Sequence, residues 1–310
     1  MTGDLLTRVE QLKGADDATR LAFLAEEHTI LHNRMQHSLD KLHAIVASPD
    51  PHTMGRAFFS RSYNGKSLLT KHFLSLYPPD LNPLGDAAIV KVVRISMPGA
   101  ASVRELAIRI LLAVREPFSH RWPTSHLESA AYAVLRSLQC RLLIIDEFQD
   151  MANGSHRNTE AVKNVVKSIG EDCGCGVALF GTPKGLEVLA SDPQLERRFE
   201  HEIIEPWLAD KDTQILIHNL EARLPLRKAS GMASDPKVVR KIVELGDGVI
   251  GQMRALVHKA ARTAIQTGRE VIDLKTIEVS DWVPFAQRAQ TSADRLGASN
   301  RECGIDDGDL

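Results

Sequence analysis

The sequence predicts an α/β protein with a five-stranded parallel sheet and a helical domain after it. Between residues 51 and 206, short apolar runs alternate with segments of helical period, a pattern typical of strands joined through helices into a parallel sheet that is covered on both faces. After Trp207 the apolar runs stop and only helical patterns continue. The composition indicates an ordinary globular chain, since 43% of the 310 residues are hydrophobic and 25% are charged.

The N-terminal segment predicts helices that precede the sheet. Residues 6–14 have a helical pattern, and a longer amphipathic stretch runs from Ala15 to Val46 before Pro51 ends the region. The final stretch is polar and rich in Gly and Asp, which is typical of a disordered tail. The predicted domains are an N-terminal helical extension over 1–50, an α/β core over 51–206, a helical lid over 207–288 and a disordered tail over 289–310.

Five apolar or β-branched runs predict the strands of the sheet, in chain order. They are residues 57–59, 87–96, 141–146, 176–181 and 200–206. Amphipathic segments between them predict the covering helices. These are residues 68–77, 102–114, 127–138 and 159–171, the first of which is ended by two prolines.

Charge, apolar runs and cysteines exclude several classes of protein. The net charge of -2 argues against a uniformly basic nucleic-acid coat, so any DNA contact needs a local basic patch. The longest apolar runs, such as Leu142–Ile145, are too short to span a bilayer and no signal pattern begins the chain, so we expect a cytoplasmic protein with no membrane partner. Cys140, Cys173, Cys175 and Cys303 lack the paired spacing of a zinc site.

The loop after the first predicted strand carries a phosphate-binding pattern. It reads SRSYNGKS over residues 60–67, with Gly-Lys-Ser at a helix start. Backbone amides and a helix N-terminus attract phosphate, the lysine reaches the β- and γ-phosphates, and the serine hydroxyl ligates Mg²⁺. The predicted residues for ATP and Mg²⁺ are Ser60, Asn64, Gly65, Lys66, Ser67 and Leu68. Ser60 replaces the usual first glycine of the pattern.

Two carboxylates follow a buried-strand run at its carboxyl end, where ligands bind in open α/β sheets. Asp146 is predicted to bind Mg²⁺, partly through water, and Glu147 to orient or deprotonate the attacking water. The alternative is a solvated strand end. Gly-Lys-Ser after an earlier strand favours the nucleotide site.

Four further residues are predicted to complete this site. Thr182 follows the fourth strand, where its hydroxyl senses the γ-phosphate or caps the next helix. Arg197 and Arg198 precede the last strand, where an arginine can reach the γ-phosphate of a neighbouring subunit; a surface ion pair is the alternative. Arg254, near a helix start in the lid, either covers the nucleotide or is an ordinary solvated arginine.

Together these segments resemble the TniB family of AAA+ ATPases, which bacterial transposons encode and which are relatives of the TnsC regulators. The resemblance runs from about Leu42 to Ile272. The segments that carry it are YNGKS, RISMPGAASVRELAIRIL, LLIIDEFQDMANGS, LFGTPKGLEVLASDPQLERRFE, LPLRKAS and GDGVIGQMRALVHKAARTAI. Their combination is far more specific than any single motif.

The resemblance implies an ATP-dependent regulator of transposition that forms a ring or helical filament on double-stranded DNA. It also implies a DDE transposase and a TniQ-type targeting protein as partners, and a DNA contact after the second strand. The available polar residues there are Lys91, Arg94, Ser102 and Arg104, for which a charged sheet edge and a capped helix are the alternatives. Other functions left open are a nucleotide-gated scaffold with little hydrolysis, a helicase loader and a signalling ATPase.

Overall fold

The computed structural model describes residues 2–26, 32–81, 88–285 and 287–288. The chain divides into two compact units. We call Leu31–Glu205 the sheet unit, and Met1–Ile30 together with Pro206–Leu310 the helical unit. The predicted tail over 289–310 lies outside the described residues.

The sheet unit is built on the predicted five-stranded parallel sheet. Its strands are β1 (Gly55–Phe59), β2 (Val92–Ser96), β3 (Leu142–Asp146), β4 (Gly176–Gly181) and β5 (Phe199–Ile203). They lie in the order β2-β3-β4-β1-β5, and each pair of neighbours is parallel. All strands therefore end at one edge of the sheet, which we call the carboxyl edge, and begin at the opposite, amino edge.

The described helices alternate with the strands in the sheet unit and follow one another in the helical unit. They are α1 (Thr2–Leu12), α2 (Asp17–Ala25), α3 (Asn33–Ala47), α4 (Lys66–Ser75), α5 (Val103–Ala113), α6 (Thr124–Ser137), α7 (His156–Cys173), α8 (Pro183–Ala190), α9 (Pro193–Arg198), α10 (Lys211–Glu221), α11 (Pro236–Leu245), α12 (Ile250–Gln266) and α13 (Leu274–Val279). Helices α3 to α9 belong to the sheet unit, and the others belong to the helical unit. No helix of the described residues is both long enough and apolar enough to cross a membrane.

Both faces of the central strands β3 and β4 are buried, as expected for a parallel sheet covered on both sides. In β3, Leu143 and Ile145 join one apolar cluster, while Leu142 and Ile144 join the cluster on the opposite face. Successive side chains of a strand point to opposite faces, so this run of four apolar residues fills both layers. The central strands therefore hold the carboxyl edge on a rigid, fully packed support.

The helical unit combines the N-terminal helix α2 with C-terminal helices through a buried ion pair. Arg20 is fully buried, and its guanidinium donates to both carboxylate oxygens of Glu270 at 2.7 and 2.8 Å. It also donates to the carbonyl oxygen of Pro225 at 3.1 Å and to Asp17 at 2.7 Å. Leu24 of α2 packs in the apolar core of the same unit.

The helical stretch predicted from Ala15 to Val46 contains two described helices, α2 and α3. Helix α2 ends at Ala25, because Glu26 is extended (φ -71°, ψ 145°) and its N–H turns back to the carbonyl oxygen of Phe23. The next described helix begins at Asn33. The second predicted strand is also shorter than expected, since β2 begins only at Val92. The predicted domain boundaries stay predictions.

Candidate functional site

The strand order brings three of the predicted segments side by side at the carboxyl edge. Strand β4 lies between β1 and β3 in the sheet. The phosphate-loop residues follow β1, and Thr182 follows β4. Asp146 is the last residue of β3, and Glu147 comes directly after it. Segments far apart in sequence therefore share one edge, which is where ligands bind in open α/β folds.

The loop between β1 and α4 is shaped by two residues in the left-handed region. Tyr63 has a φ of 62°, and Gly65, which precedes α4, has a φ of 88°. A glycine adopts this conformation at no steric cost. The carbonyl oxygen of Gly65 accepts from Leu69 N–H at 2.9 Å, which begins the helix, and Ser60 N–H donates to Gly181 O at 3.0 Å. The loop is thus fixed both to its helix and to β4.

Lys66 is buried and folded into this loop. Its Nζ donates to the carbonyl oxygens of Ser60 and Arg61 at 2.8 and 3.0 Å and to Ser60 Oγ at 3.1 Å. Burial lowers the pKa of Lys66, and the nearby carboxylates of Glu147 and Asp146 act in the opposite direction. Ser60, at the place of the usual glycine, is therefore a direct partner of the lysine.

The other loop residues differ in exposure. Asn64 is buried, and its amide donates to the carbonyl oxygen of Ile204 at 3.4 Å. Ser67 is exposed and Leu68 is half-buried in the first turn of α4. The Ser67 hydroxyl is therefore accessible to a ligand.

Asp146 is almost completely buried, and both of its carboxylate oxygens have partners. Arg94 donates to Oδ2 at 2.6 Å, and the N–H of Glu147 donates to Oδ1 at 2.9 Å. The Nε of Arg94 also donates to Thr70 Oγ1 of α4 at 2.9 Å. Arg94, which we predicted for DNA, therefore lies inside the candidate site and neutralises its buried carboxylate.

Glu147 lies next to the end of β3 in a conformation that few residues adopt. Its backbone is left-handed, with a φ of 54° and a ψ of 40°, and such residues cluster at functional sites. Gln149 donates to Glu147 Oε2 at 2.5 Å and accepts from Thr182 N–H at 3.0 Å. We did not predict Gln149, because the sequence does not show that the end of β4 lies beside it.

The residues present fit a magnesium nucleotide. Ser67 offers an exposed hydroxyl and Asp146 a carboxylate, and oxygen ligands of these two kinds are those that Mg²⁺ takes together with phosphates. Ser67 and Asp146 would hold the ion, which supplies positive charge to phosphate oxygens when it is bound.

Thr182 and the two predicted arginines lie at opposite edges of the sheet. Thr182 precedes α8, and its hydroxyl makes no capping bond to the described residues of that helix. Arg198 directly precedes β5, whose first residue pairs with the first residue of β1, so it lies at the amino edge. There it contacts Glu171 of α7 at 2.5 Å, whereas Arg197 is exposed.

Arg254 lies in α12 of the helical unit. Its guanidinium donates to the carbonyl oxygen of Glu26 at 3.5 Å. Arg254, Glu26, His258 and Arg262 line an open cavity of about 430 Å³ within this unit. Its charged lining residues are three cations, Arg254, Lys259 and Arg262, and one anion, Glu26, a balance that suits an anionic ligand.

The remaining residues predicted for DNA do not form one cluster. Lys91 is exposed at the amino edge, next to the start of β2. Ser102 caps α5 by accepting from Glu105 N–H at 3.2 Å. Arg104, in the first turn of α5, donates to the carbonyl oxygens of Trp122 at 2.8 Å and His120 at 2.5 Å. It therefore holds the loop that precedes α6.

Comparison with known families matches residues 20–209, more than half of the chain, to the model described as Bacterial TniB protein. No curated protein shows detectable sequence similarity to the chain.

Several solved structures are similar in fold, at low sequence identity. The ORC1 protein of Aeropyrum pernix in complex with DNA has a TM-score of 0.58 and 16% identity over 91% of this chain and 72% of that chain. The ORC2 protein of the same organism, in ADPNP–ADP complexes, has a TM-score of 0.58 and 16% identity over 86% of this chain and 73% of its own. RuvB of Thermotoga maritima has a TM-score of 0.51 and 16% identity over 92% of this chain and 86% of that chain. These likenesses confirm the P-loop AAA+ fold.

Proposed function

Because this chain belongs to the TniB family of bacterial proteins, we propose that it is a magnesium-dependent ATPase that assembles on duplex DNA and regulates transposition. The observation that carries the proposal is the convergence of Lys66, Asp146 and Glu147 at the carboxyl edge of one sheet. Binding alone does not need a carboxylate beside the phosphates, so Glu147 favours hydrolysis over a passive scaffold.

The chain's own residues have distinct roles in this reaction. Lys66 leaves the carbonyl oxygens of its loop to contact the β- and γ-phosphates, and the amides before α4 bind phosphate oxygens. Glu147 orients the attacking water and takes its proton. Thr182 faces the γ-phosphate or that water, since its hydroxyl is not used to cap α8. Arg254 is proposed to bind the nucleotide as well.

The proposed partners are duplex DNA, further copies of this chain in a ring or filament, a DDE transposase and a TniQ-type targeting protein. The similar ORC1 structure contains DNA and the similar ORC2 structure contains ADPNP and ADP, which supports a nucleotide-dependent DNA function. The net charge of -2 means that a single subunit offers little attraction to DNA. In an assembly, each subunit would contribute a few basic side chains along the duplex, and together these side chains would attract the DNA phosphates.

The test is DNA binding with and without ATP. We expect binding to require ATP, to fall steeply with salt and to be similar for two unrelated duplexes, because phosphate contacts release counterions without reading bases. Fluorescence anisotropy at several salt concentrations measures this, and electron microscopy of the same samples should show rings or filaments. Tight binding without nucleotide, or strong preference for one duplex, would contradict the proposal.

The proposed DNA-binding roles of Lys91 and Arg104 can be tested separately, because Lys91 precedes β2 at the amino edge whereas Arg104 lies in the first turn of α5, after the carboxyl end of β2. Each change to Ala should weaken binding to every duplex and lower the slope of log affinity against log salt concentration by about one. Lys237→Ala and Arg240→Ala, at exposed positions of α11, are matched controls. A variant that binds DNA like its control excludes that residue from the DNA-binding surface.

Arg198 is proposed to act on the γ-phosphate of a neighbouring subunit, with Arg197 as the second possibility. Arg198→Ala should bind ATP and assemble, yet hydrolyse about 10³-fold more slowly, as for other trans-acting arginines. Phosphate release measured on assembled protein checks this. Glu171→Ala is the control, because it breaks the same ion pair and keeps the arginine. If Arg198→Ala and Glu171→Ala slow hydrolysis equally, Arg198 has a structural role only.

A further inference from the structure

One side chain, Gln149, connects two parts of the candidate site. Its Nε2 donates to Glu147 Oε2 at 2.5 Å, and its Oε1 accepts from the backbone N–H of Thr182 at 3.0 Å. A primary amide contains both a donor and an acceptor. Gln149 therefore holds the carboxylate that follows β3 and the peptide that follows β4 at the same time.

The position of Gln149 is fixed from both sides. It lies in the 3₁₀ segment Phe148–Asn153, whose Phe148 and Met151 side chains are completely buried. On the other side β4 ends in Gly181, where an added Cβ would lie 3.1 Å from Gln149 Oε1. The absence of a side chain at Gly181 leaves room for the amide, so the bridge is part of the packed structure.

Glu147 gains its orientation from this bridge. Its left-handed backbone turns the chain sharply after β3, and its own flexible side chain could adopt several rotamers. The bond from Gln149 fixes Oε2, so Oε1 is the oxygen that can face a water. Since Gln149 also binds the peptide of Thr182, the carboxylate is held at a set distance from the end of β4.

We propose that Gln149 is a positioning residue for ATP hydrolysis, acting through Glu147. This inference rests on the proposed ATPase function. Gln149 contacts Glu147 and the Thr182 peptide, so its loss should misplace the water-activating carboxylate and leave the phosphate loop intact. A misplacement of about 1 Å can lower a rate about a hundredfold.

The experiment compares single-turnover hydrolysis and ATP affinity in the full-length parent and five variants: Gln149→Met, Gln149→Glu, Glu147→Gln, the double variant Glu147→Gln with Gln149→Met, and Gln266→Met. Methionine keeps the length of the side chain and loses both hydrogen bonds. Glutamate keeps the acceptor for Thr182 N–H but places a second negative charge against Glu147. Gln266 is exposed at the end of α12 and serves as control.

We expect both Gln149 variants to lower the rate about 10- to 100-fold with ATP affinity unchanged, and the control to match the parent. In the Glu147→Gln background, Gln149→Met should cause no further loss, because residues that act as a unit are not additive. A parental rate in Gln149→Met, with an active parent, overturns the positioning role alone. The positioning role is also overturned if Gln149→Met lowers the rate equally in the parent and in the Glu147→Gln variant. A parent without hydrolysis overturns the proposed function and this inference with it.

Discussion

Replacing Glu147 with Gln is expected to leave ATP affinity unchanged and to slow hydrolysis about 10²- to 10⁴-fold, the range for loss of a general base. Lys66→Ala is expected to abolish ATP binding itself. The difference arises because Glu147 lies beyond the phosphate loop, whereas Lys66 belongs to it. Nucleotide titration and phosphate release measured on both variants separate the two effects.

Two exposed residues of α8 provide matched controls for these changes. Glu187→Gln and Lys184→Ala make the same chemical changes outside the candidate site and should bind and hydrolyse ATP like the parent. Hydrolysis by Glu147→Gln at the parental rate would show that this carboxylate does not activate the water. ATP binding by Lys66→Ala at parental affinity would remove the lysine from the phosphate contact.

Replacing Arg20 with Ala is expected to lower the free energy of unfolding of the helical unit by about 3–5 kcal/mol, the cost of leaving one member of a buried ion pair alone. Glu270 would then be a buried carboxylate without its main partner. Urea or thermal unfolding measures the loss. Arg269→Ala removes an exposed arginine beside Glu270 and should cost about 1 kcal/mol at most.

Two further measurements separate the charge from the packing of Arg20. The double variant Arg20→Met with Glu270→Met should recover much of the loss, because no unpaired charge stays buried. In the parent, hydrogen bonds from Arg20 hold the pKa of Glu270 below its ordinary value of 4.5. The stabilisation that the ionised Glu270 gives the folded protein is therefore complete above pH 4.5, and it is lost as the pH falls through the lowered pKa of Glu270. If Arg20→Ala is as stable as the parent, the buried ion pair of Arg20 with Glu270 does not stabilise the helical unit.

The sheet and the family were predictable because their signals are local. Short apolar runs such as Leu142–Ile145, bounded by helical patterns, favour buried strands, and both the parallel sheet and the TniB family are confirmed. Gly65-Lys66-Ser67 and Asp146-Glu147 could be assigned to one edge because parallel strands all end on the same side.

What could not be predicted depends on pairs of residues that are distant in sequence. Arg94 carries the same charge whether it faces solvent or a carboxylate, and only the pairing of β2 with β3 brings it to Asp146. The bridging role of Gln149 can be recognised only once the end of β4 is known to lie beside it. The end of α2 at Ala25 interrupts an amphipathic pattern that continues without any proline or glycine, so periodicity alone could not locate it.

The pairing of Arg20 with Glu270 also sets an order of events during synthesis. The two residues are 250 positions apart, so at a ribosomal rate of about 5–20 residues per second the arginine waits roughly 10–50 s for its partner. All five strands, the last of which ends at Ile203, leave the ribosome before Glu270 does. The parallel sheet can therefore fold on the nascent chain before Glu270 is available to pair with Arg20.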